Sequence, residues 1–145
     1  MQCFKGNAMS AKIAAIHRAK GAEFLAQNKT NDGVIETASG LQYKIIAAGD
    51  DVKPAATDMV TVHYRGTTID GAEFDSSHAR GRPATFALEN VIAGWTEGLQ
   101  LIGQGGKAML YIPADLAYGD RSPTTSIRPG STLVFEVELL AVDRE

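Results

Sequence analysis

The sequence has few of the features on which secreted, membrane-bound and nucleic-acid-binding proteins depend. Its 145 residues include one cysteine, Cys3, which excludes a disulfide framework and a cysteine-based zinc site. No apolar run approaches the ~20 residues that span a bilayer, and the N-terminal MQCFKGNAMSAK lacks the apolar core of a secretory signal. The net charge of −3, without a basic cluster, argues against nucleic-acid binding. We therefore expect a cytoplasmic protein with neither a nucleic-acid nor a membrane partner.

The motifs of common hydrolases and phosphate-binding enzymes are also missing. The three histidines, His17, His63 and His78, do not have the spacing of metal ligands. There is no Gly-x-Ser-x-Gly nucleophile motif, and the segment GQGG at 103–106 lacks the Lys-Ser/Thr pair of a phosphate-binding loop. We expect no metal and no cofactor, and a hydrolase or metalloenzyme is the least favoured class.

The chain divides into a helical N-terminal part and a β-rich remainder. Residues 1–9 are predicted to be a flexible N-terminus, and 10–30 to be a helix capped by Ser10. Residues 31–40, which begin with Asn-Asp-Gly, are predicted to be a linker, and 41–145 the folded domain. Because the helix has only a thin apolar stripe, it is expected to depend on contacts with another part of the molecule.

Short segments of alternating hydrophobicity in residues 41–145 predict strands separated by turns. The strands are expected at 41–45, 59–64, 85–87, 108–112 and 132–142, and 67–74 is expected to form a hairpin around Asp70-Gly71. Apolar residues recur at three- and four-residue steps over 90–102, which predicts one short helix. These elements indicate an α+β domain in which the helix packs on the concave face of an antiparallel sheet.

Several aromatic residues in this domain stand at the predicted ends of elements, next to polar residues or glycine. The hydroxyls of Tyr64 and Tyr118 need hydrogen-bond partners if they are buried, and so does Asp75, which follows Phe74. Each aromatic taken alone is expected in the core. Together they indicate a hollow with Trp95 as its floor and one polar edge, which is the form of a small-molecule or peptide pocket.

Five segments resemble, in order, the FKBP-type peptidyl-prolyl cis-trans isomerases. They are VTVHYRG at 60–66, DGAEFDSS at 70–77, VIAGWTEG at 91–98, AYG at 117–119 and TLVFEVEL at 132–139. The preceding segments, AKGAEFLAQN at 19–28 and SGLQYKII at 39–46, are similar to the bacterial subgroup typified by the macrophage infectivity potentiator. In that subgroup a helical dimerisation module precedes a long helix, and only the helix is recognised in this sequence.

The resemblance implies an antiparallel half-barrel of five to six strands wrapped around the short helix. It implies that Trp95 forms the pocket floor and that Asp75 is a polar wall residue paired with Arg80 and the Tyr64 hydroxyl. The Tyr118 hydroxyl and the Ile92 backbone N–H are the implied donors to substrate carbonyls. The implied catalytic residues are Asp75, Tyr118, Trp95 and Phe135. The implied substrate- or macrolide-binding residues are Tyr64, Phe74, Arg80, Phe86, Val91, Ile92 and Ile127. The sequence departs from the family at Ala84, where many relatives have a bulky aromatic, and at 120–126.

The hypothesis that follows is a peptidyl-prolyl cis-trans isomerase acting on X–Pro bonds of unfolded or partly folded polypeptides. Rapamycin-type macrolides are expected ligands of the same pocket. The alternative is a peptide-binding module of the same shape with little turnover. Only 26 residues separate Val91 from Tyr118, where strongly chaperoning relatives carry an insertion, so modest chaperone activity is expected.

Overall fold

The structure, a computed structural model, describes residues 2–123 and 127–143 as helices packed against one antiparallel sheet. Three α-helices are present in these ranges: α1 (Gln2–Asn28), α2 (Ser77–Arg80) and α3 (Ala93–Leu99). The strands are β1 (Val34–Glu36), β2 (Gln42–Ala47), β3 (Met59–Thr68), β4 (Glu73–Ser76), β5 (Ala84–Ala87), β6 (Lys107–Ile112) and β7 (Leu133–Asp143). Two 3₁₀ turns, Leu88–Asn90 and Ala114–Leu116, lie on either side of α3 and β6.

The sheet has the strand order β1-β2-β6-β7-β3-β4, and β5 pairs with β3 on the same edge as β4. Strands β3 and β7 form the longest pairing, from Met59 opposite Asp143 to Thr68 opposite Leu133. The short strands β4 and β5 pair with opposite ends of β3. This arrangement confirms the α+β fold class and the sheet wrapped around a short helix.

Strand β7 shows why the sheet has one buried face. Leu133, Phe135, Val137 and Leu139 are buried, whereas the residues between them are partly exposed. Because side chains alternate across a strand, this places every second residue in the core, as predicted. Val60 and Val62 of β3 are buried in the same way.

Helix α3 lies very close to the concave face of the sheet. A Cβ added at Gly94 would lie 2.5 Å from an Ile112 methyl group, and one added at Gly98 would lie 2.8 Å from a Leu110 methyl group. Two glycines on the facing side of the helix therefore allow this approach. The approach brings Trp95, on the same helix, against the strands.

Three sequence predictions need correction in position or number. Helix α1 begins at Gln2 rather than at Ser10, because no proline interrupts the preceding residues and the serine lies inside the helix. The helix predicted over 90–102 is confined to Ala93–Leu99, since Val91 and Ile92 have extended backbone angles. Over residues 2–123 and 127–143 the sheet has seven strands rather than five or six, because Val34–Glu36 in the predicted linker pairs with β2.

Within the described ranges, no helix has the combination of length and apolar character needed to cross a bilayer. Of the segment 120–126, in which the sequence departs from the family, positions 124–126 lie outside the described residues. Position 1 of the predicted flexible N-terminus and positions 144 and 145 of the predicted domain also lie outside them.

Candidate active site

An open cavity of about 320 Å³ lies between the concave face of the sheet, α3 and the turn that follows β6. Its size is at the lower end of the range for small-molecule sites. The lining side chains are mostly aromatic or aliphatic, and Asp75 is the charged one. The residues that line it are Tyr64, Phe74, Asp75, Phe86, Asn90, Val91, Ile92, Trp95, Tyr118 and Phe135.

Trp95 forms the centre of an aromatic cluster at the base of the cavity. Its ring meets those of Tyr64, Phe135 and Phe86 edge to face, with centroid distances of 5.0, 5.2 and 5.7 Å. Phe74 packs against Phe135 in the same manner, at 5.5 Å and 89°. Such perpendicular pairs are favoured because the positive edge of one ring meets the negative face of the other. The base of the cavity is therefore apolar and held by mutual ring contacts.

The indole nitrogen of Trp95 is a buried donor. Trp95 is 4% exposed, and its Nε1 has no hydrogen-bond partner in the part of the chain that the structure describes. A buried donor without an acceptor costs roughly 1–3 kcal/mol. The core thus holds this side chain in place through its apolar contacts and not through its N–H group.

A glycine permits the close packing of the aromatic rings. A Cβ at Gly66 of β3 would lie 2.6 Å from the Phe74 ring and 2.7 Å from the Phe135 ring. Any side chain at this position would displace one of the two rings. The glycine that ends the motif VTVHYRG therefore shapes the cavity wall.

Three side chains form the polar edge of the cavity. The Tyr64 hydroxyl donates to Asp75 Oδ2 over 2.6 Å, and Arg80 Nη1 donates to Asp75 Oδ1 over 2.6 Å. Arg80 Nη2 donates to the Tyr64 hydroxyl oxygen over 2.9 Å, so each member contacts the other two. The predicted pairing of Asp75 with Arg80 and the Tyr64 hydroxyl is confirmed.

The short helix α2 brings Asp75 and Arg80 together. It begins after Ser76, whose hydroxyl accepts from the Ala79 N–H over 3.3 Å, as a helix cap does. The Ser77 hydroxyl accepts from the Tyr64 N–H over 2.8 Å and ties α2 to β3. The sequence showed no helical periodicity here, because α2 has only four residues.

The electrostatics of this edge keep Asp75 ionised at neutral pH. Burial alone would raise the pKa of Asp75, but hydrogen bonds from Tyr64 and Arg80 outweigh it and hold the pKa below its ordinary value. Burial, together with the hydrogen bond to Asp75, raises the pKa of Tyr64. The pair therefore consists of a carboxylate and a neutral phenol.

Tyr118 enters the cavity from the turn that follows the 3₁₀ turn Ala114–Leu116. The Gly119 N–H donates to the Ala114 carbonyl over 2.8 Å and closes the turn, with Gly119 at a φ of 59°. That left-handed conformation favours glycine. Burial raises the pKa of Tyr118, and the Asp75 charge adds to this rise, so the phenol stays protonated at neutral pH.

The fold agrees with what comparisons with known proteins find. Residues 50–140 match the family model described as FKBP-type peptidyl-prolyl cis-trans isomerase, and residues 1–45 match the model of the domain amino terminal to it. The chain belongs to the FKBP-type peptidyl-prolyl cis-trans isomerase family.

Relatives in the FKBP family cover most of this chain. It is 50% identical over 133 residues, 92% of the chain, to the outer membrane protein MIP of Legionella longbeachae. It is 52% identical over 124 residues, 86% of the chain, to the FKBP-type 22 kDa peptidyl-prolyl cis-trans isomerase of Escherichia coli. The chain spans 57% and 60% of these two proteins. The crystal structure of FkpA from Escherichia coli matches with a TM-score of 0.90 at 45% identity, over 98% of this chain and 69% of that one.

The structure brings together most of the residues that the FKBP resemblance implied. Nine of them line the cavity, and Arg80 reaches it through Asp75 and Tyr64. Ile127 does not line it in the described part of the chain. Its side chain is 4% exposed and belongs to the hydrophobic core.

Asn90 lines the cavity although the sequence did not indicate it. It ends the 3₁₀ turn that leads into Val91 and Ile92, and its polar side chain gave no pattern that distinguishes it from a loop residue. Within the described ranges, no three His, Cys, Asp or Glu side chains form a group that could bind a metal ion.

Proposed function

We propose that this chain accelerates cis-trans rotation about X–Pro peptide bonds in unfolded or partly folded polypeptides. The observation that carries the proposal is the open aromatic cavity with Trp95 at its base, which offers an apolar site for a pyrrolidine ring. Membership of the FKBP family supports it.

The cavity suits this reaction because the barrier arises from amide resonance and not from a bond that must be broken. Rotation faces about 18–20 kcal/mol, since the twisted amide loses its partial double bond. The planar amide is more polar than the twisted one, so transfer from water into an apolar cavity costs the planar amide more free energy than it costs the twisted one. This difference lowers the barrier to rotation. No nucleophile is needed. A reduction of the barrier by about 5–7 kcal/mol corresponds to roughly 10⁴–10⁵-fold acceleration.

The polar groups at the rim position the peptide in this proposal. The Tyr118 hydroxyl and the Ile92 N–H donate to the carbonyls on either side of the proline, so that one side of the bond is held while the other turns. Asp75 fixes the orientation of Tyr64 through their 2.6 Å hydrogen bond. Because the pKa of Asp75 is lowered and those of Tyr64 and Tyr118 are raised, kcat/KM is expected to be constant around neutral pH.

A proline-limited isomerisation assay on a tetrapeptide substrate tests the proposal directly. The cis population of the substrate should relax faster in the presence of the protein. The observed rate constant should increase linearly with the protein concentration. The matched control is Lys12→Met, a substitution of an exposed residue on α1, which should have the activity of the unsubstituted chain. A rate equal to that of buffer would overturn the proposal and leave peptide binding without turnover as the function.

A rapamycin-type macrolide is proposed to occupy the same cavity, because it presents apolar rings and carbonyl acceptors to the same groups. It should inhibit the isomerisation competitively. A macrolide that left the rate unchanged would exclude this ligand class without affecting the proposal of isomerisation. Modest chaperone activity and a cytoplasmic location remain predictions from the sequence.

A further inference from the structure

The N-terminal helix holds both sides of the turn that carries Tyr118. Arg18 Nη1 donates to Asp115 Oδ1 over 2.8 Å, and Arg18 Nε donates to Asp120 Oδ1 over 2.8 Å. Asp115 lies in the 3₁₀ turn three residues before Tyr118, and Asp120 lies two residues after it. One guanidinium on α1 therefore bridges the two ends of this turn.

A second contact joins α1 to the same turn through the backbone. A Cβ added at Gly130 would collide with the carbonyl oxygen of Ala14, so the helix backbone lies directly on this glycine. The Gly130 N–H in turn donates to the Gly119 carbonyl over 2.9 Å, next to Tyr118. The helix thus contacts the Tyr118 turn through one side chain and through one chain of backbone groups.

We infer that Arg18 is a positioning residue for Tyr118, and that α1 is part of the isomerase machinery because it fixes where the Tyr118 hydroxyl lies in the cavity. This inference rests on the proposed function. The planar guanidinium presents its N–H donors in a fixed fork, so it holds two carboxylates at a set separation, which a lysine ammonium does not do.

The exposure of these pairs decides where the effect should be measured. The side chains of Arg18, Asp115 and Asp120 are 38%, 77% and 64% exposed. Such surface pairs add little to global stability. Loss of the bridge should therefore leave the unfolding midpoint nearly unchanged and should instead release the Tyr118 turn.

The kinetic test is a double-mutant cycle between Arg18→Met and Tyr118→Phe, with kcat/KM for a proline-limited tetrapeptide as the readout. Tyr118→Phe removes one hydrogen bond and should lower kcat/KM by roughly two- to ten-fold. Arg18→Met should lower it by a smaller factor, and should have no further effect when combined with Tyr118→Phe. Arg18→Lys should lower kcat/KM less than Arg18→Met does. The control Lys12→Met should leave kcat/KM unchanged.

Two kinetic results would overturn the inference. One is an unchanged kcat/KM in Arg18→Met. The other is an equal loss from Arg18→Met in the presence and absence of the Tyr118 hydroxyl, since Arg18 would then act on another part of the protein.

Amide hydrogen exchange tests the same link without any turnover. The Gly119 and Gly130 amides should exchange several-fold faster in Arg18→Met than in the unsubstituted chain, while amides of β7 should be unchanged. Unchanged exchange at both glycines would refute the bridge. If the unsubstituted chain shows no isomerase activity, the proposed function fails, and the exchange rates still decide whether Arg18 holds this turn.

Discussion

Helices α3 and α1 both approach the β-rich domain closely at glycine, but they bury different kinds of surface. In α3 four of seven residues are buried, among them Trp95 and Leu99, and the helix rests on aliphatic side chains of β6. In residues 11–28 of α1 the buried positions are Ala14, Gly21 and Asn28, spaced seven apart. A seven-residue spacing produces one narrow contact line along a helix.

Polar contacts therefore provide much of the attachment of α1 to the β-rich domain. Besides the Arg18 bridge, the Asn28 amide donates to Gln42 Oε1 over 2.9 Å, and Gln42 Nε2 donates to the Leu25 carbonyl over 2.9 Å. Gln42 is fully buried. Burial of apolar surface stabilises α3 in proportion to its area, whereas the hydrogen bonds of α1 add little while intact and cost much when broken. The two helices should therefore respond to different substitutions.

The largest effect should come from a substitution in α3, the helix that is stabilised by apolar burial. Trp95→Ala removes the ring that contacts three other aromatic residues, and should lower the free energy of unfolding by roughly 3–5 kcal/mol. Urea denaturation measures this loss, and isomerase activity should disappear with the floor of the cavity. Trp95→Phe, which keeps an aromatic ring, should lose less stability. A loss below about 1 kcal/mol for the alanine variant would show that neighbouring side chains had moved into the space left by the indole ring.

The next effect tests the buried amides beneath α1. Gln42→Met keeps the bulk of the side chain but leaves the Asn28 amide and the Leu25 carbonyl without this partner. Leaving buried groups unsatisfied should cost about 1–3 kcal/mol in the free energy of unfolding, measured in urea.

A matched control is available at the exposed end of the same network. Glu36 Oε2 accepts from Gln42 Nε2 over 3.0 Å, and Glu36 is exposed. Glu36→Gln keeps an acceptor and should change stability little. Equal losses in Glu36→Gln and Gln42→Met would mean that buried amides do not hold the helix.

A paired glycine substitution compares the two helix contacts directly. Gly94→Ala places a methyl group within 3 Å of three side-chain atoms of the buried Ile112, and the overpacking should cost roughly 1–3 kcal/mol. Gly21→Ala places a methyl group 3.0 Å from Thr132 Cβ and against its hydroxyl. Here the methyl group meets a single threonine side chain, and the gain in helix propensity of about 0.8–1.0 kcal/mol offsets much of the cost.

Urea denaturation and amide exchange together separate these two results. Gly94→Ala should lower the midpoint of the whole domain. Gly21→Ala should leave the midpoint nearly unchanged and should raise exchange rates within α1. Loss of stability of the whole domain in both variants would show that α1 belongs to the same cooperative unit as α3.

The same contrast explains which parts of the fold could be predicted. Buried apolar surface leaves a periodic trace in sequence, so β7, β3 and the helix that carries Trp95 were found from alternation and three- and four-residue spacing. Strand β1 has three residues at the sheet edge, too short for a period to show. The Arg18 contacts of α1 join residues about 100 positions apart, Asp115 and Asp120, and local pattern carries no information on them.

The candidate site divides in the same way. The Tyr64, Asp75 and Arg80 triangle could be inferred because Tyr64 and Asp75 lie in segments that resemble FKBP motifs, Arg80 follows the second of these segments by three residues, and a buried carboxylate needs partners. Ile127 does not line the cavity in the described part of the chain. Its part in binding stays a prediction, since nothing in the loop sequence shows whether an isoleucine points into the core or into a neighbouring cavity. Asn90 was missed because a lone polar residue in a turn has no distinguishing pattern.

The smallest predicted effect is a pH dependence confined to α1. Burial, and then the charges of Arg128 and Lys20, lower the pKa of His17, while Asp70 opposes them weakly. An unfolded histidine has a pKa of about 6.5, so below that pH the unfolded state binds more protons and stability falls until the folded pKa is passed. Amide exchange in α1, corrected for the intrinsic rate, should be faster at pH 5 than at pH 7.5. His17→Gln should abolish this difference, and a difference that survives the substitution would assign it to another group.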